Sequence, residues 1–162
     1  MPVAAALAAM VAFAAAGEAP VTAQARNSST VLMSTDARER AGQEELGYAD
    51  AVIAGDLIFL SGVVAAQAPG ETSLVPAYER VFRQIGEILG RAGAGYGDIV
   101  EMTTYHTDVT AQIGALSQVQ RRLLGSPPPA WTAIDVDRLL PSDGITEIRI
   151  VARRTAAGGG AQ

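Results

Sequence analysis

Ala51-Val52-Ile53-Ala54-Gly55-Asp56-Leu57-Ile58-Phe59-Leu60-Ser61-Gly62 is the stretch on which the fold turns. Two short apolar runs flank Gly55-Asp56, a dipeptide suited to a tight reversal, so the segment reads as two strands joined in a hairpin. The second strand runs into Ser61-Gly62 and on through Val63-Val64. A glycine inside a strand invites a bulge or the close approach of another group.

Toward the C-terminus, residues 67–73 read as a loop. Over 75–92 the apolar positions Tyr78, Val81, Phe82, Ile85, Ile88 and Leu89 recur at helical spacing, with Glu79, Arg80, Arg83, Gln84 and Glu87 opposite them. Gly93 and Gly95 end that helix, and 98–106 follows as a strand rich in Ile, Val, Thr and Tyr. A second helix covers 113–124, with Ile113, Leu116, Val119, Leu123 and Leu124 on one stripe, until Pro127-Pro128-Pro129 breaks it. Two last strands, 130–136 and 145–152, flank a loop closed by Asp143-Gly144. Each strand-helix-strand crossover is long enough for a parallel connection. The order β-β-α-β-α-β-β therefore predicts an α+β fold of two layers, a mixed sheet with two helices on one face. The strands at 51–64 and 145–152 are apolar on both faces, and one small domain has nothing left to cover the second. Self-association is the simplest cover.

Toward the N-terminus, residues 26–45 read as a polar linker, which leaves one domain at 46–154. Residues 3–16 are an unbroken apolar run, too short and too weakly hydrophobic to span a bilayer permanently, and Ala23-Gln24-Ala25 fits a small-residue cleavage site. Residues 1–25 are expected to be a signal peptide, without a basic residue at the start, and export to a periplasm or the cell exterior follows. The tail 155–162 is expected to be disordered. The net charge is −5, lysine is absent and the twelve arginines are scattered, so no basic stripe tracks a phosphate backbone and nucleic acid is excluded as an expected partner. Nor is a membrane. Cysteine is absent, which removes disulfides, thiolate metal sites and a cysteine nucleophile, and a single histidine makes a metal site a poor fit. No cofactor is expected.

Four stretches in one order carry a resemblance over about residues 46–153: Tyr48 before the hairpin, Ile58-Phe59-Leu60-Ser61-Gly62, Gly97-Asp98-Ile99-Val100-Glu101-Met102-Thr103-Thr104, and Pro129-Ala130-Trp131-Thr132 with Ile145-Thr146-Glu147-Ile148. In these the chain resembles the Rid family (reactive intermediate deaminases, YjgF-like). The resemblance implies the fold of small trimeric chorismate mutases, a homotrimer with a barrel-like centre, and small-molecule clefts between subunits. It implies hydrolysis of imines and enamines such as 2-aminoacrylate to ammonia and a 2-oxo acid. It implies further that Tyr48 is the pocket tyrosine, Ser61 with Gly62 the strand-end pair, and Glu147 the carboxylate that positions or activates water. Ser117 aligns with the family's helix asparagine and Ala133 with a pocket position. The arginine that grips the substrate carboxylate as a bidentate pair is replaced by Trp131. An indole has one N–H and an apolar ring, so it cannot stand in for a guanidinium against a carboxylate.

The residues also have plainer readings. Glu147 alternates with Ile148 and so faces away from the helices, either as a base or as the partner of Arg149 or a neighbouring arginine. His106, with Asp108 two residues on, is either an imidazole oriented by a carboxylate or a hydrogen-bonded strand end. Trp131 is either a cleft wall or an interface or core aromatic. Two functions stand: a deaminase acting on a small imine or enamine other than the usual carboxylated one, and a non-catalytic trimer that binds a small molecule. An endoribonuclease is disfavoured by the acidic charge.

Overall fold

The computed structural model describes residues 26–154. The expected leader and tail lie outside them. The hairpin is formed by β2 (Ala51–Ala54) and β3 (Leu57–Leu60), paired Ala54↔Leu57 around Gly55, whose φ of 66° at the first turn position is one that glycine adopts without a Cβ clash. The chain continues past Ser61-Gly62 into β4 (Val63–Ala66). Both β3 and β4 run antiparallel to the long C-terminal strand β7 (Gly144–Arg153), with Phe59↔Val151 and Val63↔Ile148 on either side of the break. Residues 60–62 thus lie opposite only 149–150, the single extra residue of a bulge.

Helix α2 (Val75–Arg91) buries Tyr78, Val81, Phe82, Ile85, Ile88 and Leu89, the stripe its spacing predicts. Helix α3 (Val109–Leu124) starts four residues before the apolar stripe does, because the Asp108 carboxylate accepts from the Ala111 N–H and caps the helix there. Between the two helices, β5 (Ile99–His106) pairs antiparallel with β7 and parallel with the edge strand β6 (Ala130–Asp135). With β1 (Val31–Leu32) at the far edge, the strand order is β1-β2-β3-β7-β5-β6, and β4 also lies on β7. The α+β architecture, a mixed sheet with α2 and α3 on one face, is as expected.

The region 26–45 departs from the linker reading. It contains β1 and a further helix, α1 (Ala37–Leu46). Asp36 caps α1 by accepting from the N–H groups of Arg38 and Glu39, and Gly47, at φ 73°, closes it by donating to Gln43 O. Only Gln43 of α1 is buried, so there is no apolar stripe for periodicity to detect.

The sheet has two unlike faces. Ile58, Leu60, Ala65, Met102, Thr104, His106, Thr146, Ile148, Ile150 and Ala152 are all buried on the helix side. On the other side, Phe59 is 37% and Ile134 41% exposed, and pairing places Val52, Val64 and Val151 on that face with them. Nothing among the described residues covers it.

Candidate functional site

The break at Ser61-Gly62 creates the corner where chemistry is best placed. A Cβ on Gly62 would fall 1.7 Å from Glu147 Oε1 and 2.5 Å from its Cδ, so only a glycine lets the Glu147 side chain lie against the backbone here. β7 supplies Glu147 on the uncovered face, opposite Val64 and Tyr105. Its carboxylate makes no hydrogen bond or ion pair among the described residues. Arg149, the partner of the plainer reading, instead reaches Glu101 at 3.5 Å, while Thr103 donates to the other oxygen of Glu101 at 2.6 Å.

Beside this corner, Tyr48, Ser61, Gly62, Val63 and Val64 line a cavity of about 340 Å³, together with Gln43 of α1, Gln84 and Ile88 of α2, and Asp50 just before β2. Tyr48 is 47% exposed and its hydroxyl is without a partner among the described residues, so it can meet a ligand. Ser61 is more constrained: its hydroxyl donates to Ala49 O at 2.6 Å, which leaves only the oxygen lone pairs for a ligand donor. Gln43 holds the cavity wall by accepting from the Ser34 N–H at 2.8 Å and donating to Asp50 at 2.6 Å. Sequence reading missed Gln43, a buried glutamine inside a polar stretch. The only signal for it was the Asp36-x-x-Glu39 spacing that marks a helix start.

The remaining candidates lie elsewhere. In the parallel pairing of β5 and β6, Met102↔Trp131 and Thr104↔Ala133 stand in register, so Trp131 and Ala133 are on the helix side, opposite in facing to Glu147. Trp131 is half-buried against the core, and its indole N–H donates to Thr104 Oγ1 at 3.0 Å. Ala133 is exposed. Ser117, half-buried on α3, makes no side-chain hydrogen bond among the described residues.

His106 is corrected as a ligand-contacting residue. It is 0% exposed, with Nε2 2.9 Å from Thr104 Oγ1 and Nδ1 3.1 Å from Gln112 Oε1. Asp108 does not orient it, being engaged as the α3 cap; Gln112 does. Burial pushes the imidazole below its ordinary pKa, against the opposing Gln112 hydrogen bond and the charge of Asp135. Among the described residues, no group of three His, Asp or Glu side chains is placed to hold a metal ion, and no helix is long and apolar enough to cross a membrane.

Tyr48, Ser61, Gly62 and Glu147 gather at the bulge, while Trp131 and Ala133 sit on the edge strand and face the other way.

Residues 39–154 match the family model described as Endoribonuclease L-PSP. The RutC family protein YjgH of Escherichia coli (strain K12) is 33% identical over 109 residues, covering 65% of this chain and 82% of the relative. Reactive Intermediate Deaminase A, chloroplastic, of Arabidopsis thaliana is 30% identical over 109 residues, 65% of this chain and 57% of that one. The solved structure described as Protein YJGH superposes with a TM-score of 0.65 at 27% identity, over 79% of this chain and 97% of its own.

Proposed function

The chain belongs to the Rid family of YjgF-like proteins, and from that premise we propose that it is a hydrolytic deaminase of small imines or enamines lacking a carboxylate. The observation that carries the reading is the Gly62-Glu147 corner. A carboxylate without a partner among the described residues, held against Gly62, which lines a ligand-sized cavity, is placed to orient or deprotonate a water. The name of the plant relative, a reactive intermediate deaminase, agrees with this chemistry.

Water adds across the C=N bond, the C–N bond of the resulting carbinolamine breaks, and ammonia leaves as the carbonyl forms. Glu147 takes the proton of the attacking water and returns it to the departing nitrogen. Tyr48 and Ser61 orient the ligand, Tyr48 as donor or acceptor and Ser61 as acceptor.

The working unit in this proposal is a homotrimer. Two features support it: the uncovered apolar sheet face, and the opposite facing of the two sets of residues, which a cleft between subunits would bring together as Glu147, Tyr48 and Ser61 of one chain with Trp131 and Ala133 of the next. Export, with a mature chain starting near Arg26, belongs to the same proposal.

The test is ammonia release by the purified protein from freshly generated imines with and without a carboxylate, alongside Glu147→Gln. The expected result is turnover of the carboxylate-free imine that the mutant loses. Absence of turnover on either imine favours the second reading, a non-catalytic trimer that binds a small molecule. That reading is motivated by Trp131 standing where the family's arginine would.

A further inference from the structure

Trp131 is tied into a continuous buried hydrogen-bond chain, and the donor inventory fixes its direction. An indole N–H can only donate, so Thr104 Oγ1 accepts it at 3.0 Å. A glutamine Oε1 can only accept, and Gln112 Oε1 lies 3.1 Å from His106 Nδ1 and 3.2 Å from the Thr146 hydroxyl, so it accepts a hydrogen bond from each. Nδ1 therefore carries the imidazole proton, and bare Nε2 accepts from the Thr104 hydroxyl at 2.9 Å. Tyr78 completes the chain by donating to Thr146 at 2.8 Å, and the Gln112 amide donates to Thr107 at 3.0 Å. Every polar side-chain atom of this network from Tyr78 to the indole has a partner while the imidazole is neutral.

Two consequences follow for the cleft. The indole N–H is anchored to Thr104, itself buried and bonded to His106, so its single donor is already engaged inward. A ligand meeting Trp131 finds only the ring, whose π face is electron-rich and attracts cations. On the other side of the proposed intersubunit cleft, the Glu147 carboxylate has no counter-ion among the described residues, and Arg149 on the same face is engaged by Glu101. In place of a guanidinium that would grip an anion, the site combines a π face with an unpaired carboxylate.

We propose that the site selects carboxylate-free iminium ions, with Trp131 as the specificity-determining residue and Thr104 and His106 as positioning residues that hold its ring toward the ligand. This rests on the reading above that Trp131 and Glu147 border one cleft. Hydrolysis of such an ion, R–CH=NH2+ + H2O → R–CHO + NH4+, balances without a further reactant. The reaction that supplies it is the two-electron oxidation of a primary amine, whereas oxidation of an amino acid would deliver the carboxylated imine.

The experiment uses stable probes and the protein's one tryptophan, whose emission reports Trp131 alone. Benzylammonium and benzoate are each titrated into the purified protein, into Thr104→Val and into Thr104→Ser. Benzylammonium is expected to change the emission saturably and to bind about tenfold more tightly than benzoate. Thr104→Val, which removes the acceptor of the indole N–H, is expected to shift the emission and weaken benzylammonium about fivefold. Thr104→Ser restores both, a rescue that loss of packing alone would not show. Benzoate binding as tightly as benzylammonium, or emission and affinity unmoved in Thr104→Val, overturns the proposal. Because the titration needs no turnover, cation selectivity in a protein that releases no ammonia would sink the deaminase reading and leave this one standing, and turnover with anion preference would do the reverse.

Discussion

On the helix face of the sheet, Thr104, His106, Gln112 and Thr146 are all buried and linked by hydrogen bonds; on the opposite face, Glu147 lies against Gly62 with no partner among the described residues. Both sets are polar residues within the same strands and the helix that follows, one residue apart in parity. A buried polar group without a partner costs about 1–3 kcal/mol, so the helix face is stable only because its network is complete. Solvent, or a ligand, can satisfy the other face. A saturated network holds things in place, and an unsaturated carboxylate is left available. As sequence, His106 and Glu147 each have a functional and a plain reading. They differ because one has its bonding capacity filled by the fold and the other does not.

That contrast can be broken by experiment. The largest effect is expected from His106→Ala, which leaves a void and removes a partner from both Thr104 and Gln112: denaturant unfolding should show a loss of about 3–4 kcal/mol. The same measurement on Glu147→Gln should move by less than about 0.5 kcal/mol, since that carboxylate stabilises nothing in the chain. Comparable losses in the two variants would erase the distinction between the faces.

Gly62→Ala should do the opposite of His106→Ala. Its Cβ would collide with the Glu147 side chain and push the carboxylate out of place, and a misplacement of that size costs about 10²-fold in turnover. Thermal unfolding should change little if the side chain swings into solvent. Turnover that survives intact would mean that the Glu147 position does not matter to the reaction.

The smallest effect concerns pH. Burial keeps the native imidazole of His106 less basic than in the unfolded chain, where its pKa is about 6.5. Above that pH both states are neutral and nothing is lost. As pH falls through about 6.5 the unfolded chain takes up its proton first, and stability drops until the native imidazole also protonates. Urea unfolding at pH 7.5 and 5.5 should show this slope, and His106→Gln should flatten it. A slope of the same size in the mutant would assign it to other groups.

Much of this was legible in advance where periodicity speaks. The hairpin at 51–60, the α2 stripe from Tyr78 to Leu89 and the bulge at Gly62 all follow from spacing or from a glycine within a strand. α1 was not legible that way, since capping by Asp36 and Gly47 sets its ends without an apolar face. The site divided likewise. Tyr48, Ser61, Gly62 and Glu147 do come together, whereas His106 was read from its neighbour Asp108 although its partners are Gln112, Thr104 and Thr146.

The sequence by itself determined the order of elements, the break at Ser61-Gly62, and the absence of a basic stripe or of thiol chemistry, because each is a property of composition or of spacing along one segment. Only the tertiary structure decided which polar groups are saturated. Thr146 meets His106 across 40 residues, Tyr78 meets Thr146 across 68, and Trp131 meets Thr104 across 27. Whether a hydrogen-bonding group is filled or free depends on what arrives from distant segments, and no local pattern in the chain records that.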